Sequence, residues 1–225
     1  MTKQLRIDFV SDISCPWCAI GLNSLELALA RVKSEVSADL HFQPFELNPN
    51  MGPEGQDIGE HITEKYGATA EQQAHSREMI RQRGADVGFV FEMERRGRIY
   101  NTFDAHRLLA WAEVEGRQRD LKLALFEAYF THCEDPSNHD ALLRTVERVG
   151  MDVETAARIL QSSDYADEVR EREQFFQRAG IRSVPAVVIN QRHLISGGQP
   201  PEVFEQALRD IAAKMEAAPS EPAQQ

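Results

Sequence analysis

The chain has 225 residues, 42% of them hydrophobic, with three cysteines and a formal net charge of −11. That is apolar content enough for one well-packed domain, or for a domain carrying a large insertion, and no run reaches the ~18 apolar residues that read as a membrane span. The acidity weighs against a nucleic-acid role, which would need a basic face.

Leu5, Ile7 and Phe9 alternate with Arg6 and Asp8, the period-2 pattern of a half-buried strand. Cys15-Pro16-Trp17-Cys18 follows, and then Leu22, Leu25, Leu29, Val32 and Val36 recur at helical spacing. The spacing therefore predicts a helix that opens at the motif and runs to about Val36. Pro16 suits the first helical turn, where its missing N–H costs nothing. A second strand is expected over Leu40 to Phe45, ended by Pro44, and a loop over Asn48 to Gln56.

Helices are expected almost throughout from Asp57 to Ala179. Ile58 to Tyr66 is one. Ala70 to Arg83 is another, capped by Thr69 and stopped at Gly84. Further helices are predicted over Thr102–Glu115, Leu121–His132, Asp140–Val149, Val153–Gln161 and Tyr165–Ala179. The stretch Arg95-Arg96-Gly97-Arg98, preceded by Glu92 and Glu94, reads as a solvated loop. Strands then return at Val184–Asn190 and His193–Ser196, and a last amphipathic helix covers Glu202–Met215. The layout predicts an α/β sheet domain (residues 1–56 and 180–215) interrupted by a helical insertion (57–179), with a disordered tail over 216–225.

Chemistry concentrates on the two cysteines of the motif. Cys15 stands at a helix mouth, facing unpaired N–H groups and the positive end of the dipole, which favour a thiolate. Cys18 lies one turn on, where it can resolve a mixed disulfide. The competing reading is half of a zinc site completed by Cys133 with His132 or His139; structural zinc sites more often show two tight ligand pairs. Cys133 itself reads as a small buried or semi-buried thiol. Trp17, between the active cysteines, would shape access. Pro185 opens a buried strand where it cannot donate to the sheet, and a cis Val184–Pro185 peptide would explain it by presenting Val184 main chain beside the thiols. Asp12 either disfavours the thiolate or serves as a loop cap. Asn101, Thr102 and His106 are candidates to line a cleft between the two parts, although a histidine on an apolar helix face is by default a packing residue.

Taken in order, Cys15-Pro16-Trp17-Cys18 after a first strand, a helical insertion and Val184-Pro185 opening a late strand resemble the DsbA family of thioredoxin-fold oxidoreductases. Phe45-Glu46-Leu47-Asn48-Pro49, Asn101 to Leu108 and Ile195-Ser196-Gly197-Gly198-Gln199 resemble its FrnE-like subgroup, often described as polyketide-biosynthesis dithiol-disulfide isomerases. The resemblance implies a thioredoxin-like α/β fold with an inserted helical domain and disulfide oxidoreductase activity. Its catalytic pair would be Cys15 and Cys18, with Pro185 as the cis-proline and Trp17, Val184, Asn101, Thr102 and His106 as substrate contacts. No cofactor or metal is implied beyond the redox-active Cys15–Cys18 pair. The expected partners are protein or small-molecule disulfides, with glutathione as a possible redox partner. The Asn101 to Leu108 segment also resembles 2-hydroxychromene-2-carboxylate isomerases and kappa-class glutathione transferases, which typically carry serine at the Cys15 position. A glutathione-dependent isomerase or transferase is therefore the alternative. The N-terminus runs straight into the first strand without a secretory signal, so a cytoplasmic location is expected.

Overall fold

The computed structural model describes residues 2–217. A four-stranded sheet forms its centre, in the order β2-β1-β5-β6. Strand β1 (Lys3–Ser11) leads into helix α1 (Pro16–Arg31), and β2 (Val36–Pro44) returns parallel to β1. Strands β5 (Ala186–Ile189) and β6 (His193–Ser196) add antiparallel on the other side of β1, with Ile7 opposite Ile189. Because β1 is central and covered on both faces, Asp8 and Val10 are buried together with Leu5, Ile7 and Phe9.

Between β2 and β5 the chain runs through a small two-stranded sheet and seven helices, among the described residues. These are β3 (Gln56–Asp57), α2 (Ile58–Tyr66), α3 (Ala70–Asp86), β4 (Arg98–Ile99), α4 (Phe103–Val114), α5 (Gln118–Phe130), α6 (His139–Arg148), α7 (Val153–Gln161) and α8 (Ala166–Arg178). Helix α9 (Pro201–Ala217) closes the fold against α1. The helical segment and the sheet share one apolar core. Leu5, Ile7, Cys18 and Ile189 pack in the same cluster as Leu108, Phe126 and Leu142. A smaller cluster joins Val10, Phe45 and Ala186 to Phe176 and Ile181.

Several boundaries differ from the sequence pattern, each for a physical reason. Helix α1 ends at Arg31, and Val36 opens β2, paired with Lys3, instead of closing the helix. A buried β-branched residue fits either periodicity, and pairing with β1 decides it. Strand β2 accordingly begins at Val36, ahead of the expected Leu40. Gly84 lies inside α3 and does not stop it. A Cβ there would fall 2.4 Å from the Phe91 ring, so the glycine serves close packing. The two-residue strands β3 and β4 are too short to leave a periodic signal. Helix α9 continues through residues 216 and 217, the start of the expected tail; residues 218–225 lie outside the described ones.

Candidate active site

The end of β1 and the start of α1 place the two cysteines. Cys15 is the N-cap of α1 with extended backbone, and Pro16 occupies the first helical position. The Cys18 N–H donates to the Cys15 carbonyl at 3.0 Å, so the two residues stand one turn apart. Both are free thiols. Cys18 is sealed at 0% exposure, whereas Cys15 keeps an edge at 4%. Burial, and then the neighbouring Cys15 sulfur, push the Cys18 thiol well above its ordinary range.

Across from them, the Val184–Pro185 peptide bond is cis, and the Cys15 thiol lies 3.7 Å from the Val184 carbonyl oxygen as donor to it. Two glycines let these pieces close up. A Cβ on Gly21 of α1 would meet the Pro185 ring at 3.1 Å, and one on Gly198 would stand 2.8 Å from the Trp17 carbonyl. The Gly197-Gly198 pair therefore does more than turn the chain, since it lets the loop after β6 lie against α1. Trp17 is half-buried beside the cysteines. Exposed Tyr66 on α2 lies near enough for charge on Cys15 to raise its phenol, after burial as the larger cause.

Two of the remaining candidates, Thr102 and His106, lie beside Asp12. Its Oδ1 accepts from the Ser14 N–H at 3.0 Å and from the Thr102 hydroxyl at 2.8 Å, and its Oδ2 accepts from the Leu47 N–H at 2.6 Å. Of the two roles open to Asp12, the loop-tying one is what the geometry provides. Thr102 and His106 are buried at 2% and 3% exposure, so the expectation that they line an open cleft is corrected. His106 Nε2 faces Asp12 Oδ1 at 3.9 Å and has no hydrogen-bond partner. Burial and then the Lys122 charge hold this imidazole well below its usual range, so it is neutral at physiological pH. Asn101 is half-buried. Its Oδ1 accepts from the Phe103 N–H at 2.8 Å, and its amide donates to Pro49 at 3.4 Å, so it fastens the start of α4.

Several buried charges escaped the sequence reading, and Arg96, expected in a solvated loop, is 8% exposed and lies over the Tyr129 and Phe130 rings. Lys122 on α5 is 1% exposed, and Glu46 after β2 is 5% exposed. Glu46 shares the Arg170 guanidinium with Glu173, and that guanidinium stacks 3.9 Å from the Phe103 ring centroid. Burial, then the Glu173 charge, push the Glu46 carboxyl up to about 7. Cys133 is half-buried with its sulfur against the Glu92 carbonyl at 3.7 Å, in a part of the chain separate from the pair. Among the described residues no group of three or more His, Cys, Asp or Glu is arranged to hold a metal. None of the described helices is long and apolar enough to cross a membrane.

The Glu46 carboxyl carries a pH prediction. An unfolded glutamate releases its proton near ~4.3, but folded Glu46 holds it to about 7. Between those values the folded state binds the extra proton, so the contribution is full below ~4.3 and is lost as pH rises through 7. Urea unfolding at pH 5 and pH 8 should show the wild type losing on the order of 2 kcal/mol that Glu46→Gln retains. Parallel pH profiles for the two proteins would refute it.

The comparisons with known proteins bear on the family and the fold. The family model described as a DSBA-like thioredoxin domain matches residues 6–209. The crystal structure of a probable DsbA oxidoreductase, SCO1869 from Streptomyces coelicolor, superposes with a TM-score of 0.87 at 31% identity, over 98% of this chain and 94% of that one. A 2-hydroxychromene-2-carboxylate isomerase shares the fold at a TM-score of 0.70 and 14% identity, covering 96% of this chain and 100% of the other. So does the cytosolic disulfide reductase DsbM from Pseudomonas aeruginosa, solved with GSH, at 0.66 and 13%, covering 92% and 99%. With a matched model spanning nearly its whole length and a relative at 31% identity aligned end to end, the chain belongs to the DSBA-like thioredoxin domain family.

Proposed function

We propose that this protein is a thiol–disulfide oxidoreductase of the FrnE-like kind, in which Cys15 attacks a substrate disulfide and Cys18 resolves the mixed disulfide. The observation that carries the reading is the placement of the sulfurs. Cys15 caps α1, keeps the only solvent edge of the pair and faces Val184, while Cys18 waits one turn deeper. An extended substrate strand laid on Val184 and Pro185 would bring its disulfide to Cys15, with Trp17 and Tyr66 bordering the approach. Thr102 supports the Asp12 tie directly, His106 packs beside it, and Asn101 fastens the start of α4. Residues 57–179 serve as the wall and floor of this one site, consistent with the shared core.

The direction of net reaction follows the pair's reduction potential against its surroundings. In a reducing cytoplasm that direction is reduction or isomerisation, with glutathione as the recycling thiol. The fold likeness to a 2-hydroxychromene-2-carboxylate isomerase gives the second reading, a glutathione-linked isomerase or transferase. The retained dithiol at Cys15 and Cys18 favours the first.

The test is insulin-disulfide reduction in the presence of a thiol donor. The protein should accelerate B-chain precipitation well beyond the donor alone. No acceleration, together with glutathione-dependent turnover of an aromatic acid after the dithiol is blocked, would favour the second reading.

A further inference from the structure

The border of the thiol site carries positive charge that the exchange chemistry described above does not use. Arg83, on the last turn of α3, is half-buried and reaches the loop after β6, where its Nη2 donates to the Gly198 carbonyl at 3.4 Å. Gly198 is seated on the cysteine motif. A Cβ there would fall 2.8 Å from the Trp17 carbonyl and 3.5 Å from the Trp17 ring. Its neighbour Gly197 donates its N–H to the Pro185 carbonyl at 2.8 Å. The guanidinium of Arg83 therefore stands where the motif and the cis-proline meet, held by one long hydrogen bond.

Two more cations lie on this border. The Lys65 ammonium, at the end of α2, is 2.6 Å from the Leu47 carbonyl and 2.7 Å from Asn48 Oδ1. Leu47 is tied through its N–H to Asp12, whose carbonyl accepts from the Cys15 N–H at 3.3 Å. Arg182 is exposed two residues before Val184, whose carbonyl faces the Cys15 sulfur. Among the described residues, none of these three cations is paired with a carboxylate.

Composition alone would not leave them so. The chain has 36 acidic and 25 basic residues, so a cation here has carboxylates in excess to choose from. On other faces Arg31, Arg119 and Arg209 each hold a glutamate. Around the thiols the acids are engaged elsewhere. Asp86, within helical reach of Arg83, accepts from Gln82 at 3.0 Å. Glu64, beside Lys65, accepts from Gln56, and Glu202, beyond Gly198, takes Arg31. Asp12 is buried and already accepts from Ser14, Leu47 and Thr102.

We propose that this rim selects disulfides bearing a carboxylate a few bonds from the sulfur, with Arg83 the specificity-determining residue that takes the carboxylate. The inference rests on the dithiol-exchange reading above and names the substrate class for it. A guanidinium presents a fork of donors that matches a carboxylate, and Arg83 has donors to spare. Lys65 and Arg182 add to the same local potential, which draws anions toward Cys15 and repels cations.

Three small disulfides of similar length test the charge: dithiodipropionate, hydroxyethyl disulfide and cystamine, which are negative, neutral and positive. Each kcat/KM is divided by the rate of the same disulfide with N-acetylcysteinamide, an uncharged thiol. The normalised values should fall in that order, with the anion about tenfold ahead of the neutral compound. In Arg83→Gln the anion-to-neutral ratio should drop at least about fivefold, and Arg83→Lys should restore part of it. A ratio cancels any general loss from a disturbed loop. The preference should also fade between ~10 mM and ~0.5 M salt. Equal normalised values, or a ratio that Arg83→Gln does not move, overturn the inference. Two peptide disulfides that differ by Glu or Gln beside the cysteine then identify the source. A preference for the Glu peptide points to an acidic protein segment, and a preference confined to dithiodipropionate points to a small-molecule anion.

Should the wild type reduce no disulfide, the functional reading falls, and alkylation still decides the charge selectivity. Iodoacetate and iodoacetamide are nearly equal in size and differ in charge. Their rate ratio at Cys15 of the reduced protein should exceed that for N-acetylcysteinamide by about threefold or more, and Arg83→Gln should lower it. A ratio no higher than that of the free thiol overturns the inference, whatever the turnover.

Discussion

Cys15→Ser should bring insulin-disulfide reduction down to the uncatalysed rate, a loss of at least about a thousandfold. Cys18→Ser should fail differently, accumulating mixed disulfides that non-reducing gels and mass spectrometry can display. The asymmetry follows from position. Cys15 caps α1 and keeps a solvent edge, so a substrate disulfide can reach it, whereas Cys18 is wholly sealed. Without Cys15 no mixed disulfide forms. Without Cys18 it forms and stays. If the two serine variants trap substrate equally, the assignment of attacker and resolver is wrong.

Asp12→Ala should lower the unfolding free energy by about 3–5 kcal/mol, read by urea denaturation of the oxidised protein. Its carboxylate accepts from two main-chain N–H groups, of Ser14 and Leu47, and from the Thr102 hydroxyl. Removing it strands all three donors at a buried junction where the end of β1, the loop after β2 and the start of α4 meet. Each abandoned buried donor costs about 1–3 kcal/mol. Asp12→Asn keeps one acceptor oxygen and should fall between. A loss below about 1 kcal/mol for the alanine variant would show that the junction holds by packing alone.

Much of the arrangement was legible because it is periodic or local. Leu5, Ile7 and Phe9 announce β1, and Thr69 with Gln72 forms the capping box that opens α3. The cysteine motif announces the start of α1. What escaped depends on contacts between distant parts of the chain. Val36 satisfies the α1 stripe as well as it satisfies β2, and only pairing with Lys3 separates them. Lys122 left a readable mark: a charge on the stripe of Gln118, Leu121 and Leu125, where a solvated helix face would not put it. Glu46 left none, since its depth comes from α8 folding over it with Arg170. His106 was placed on an apolar face and is buried there, with the Asp12 carboxylate 3.9 Å from its Nε2.

The order of strands in the sheet also bears on how this chain is made. Strand β1 sits at the centre, yet one of its two neighbours, β5, is encoded near the far end, with Ile7 paired to Ile189. During synthesis at ~5–20 residues per second, that partner leaves the ribosome roughly ten seconds or more after β1. Throughout that interval β1 and β2 can pair, and the intervening helices can form, while one edge of β1 stays open. An open edge is a template for another chain, and charged side chains are a common means of discouraging such pairing. Arg6 and Asp8, joined by an ion pair in the finished fold, lie on the strand that must wait. A half-sheet of β1 and β2 can therefore exist for the whole of that interval, and the contact of Cys15 with Val184 cannot form until the ribosome has delivered Val184.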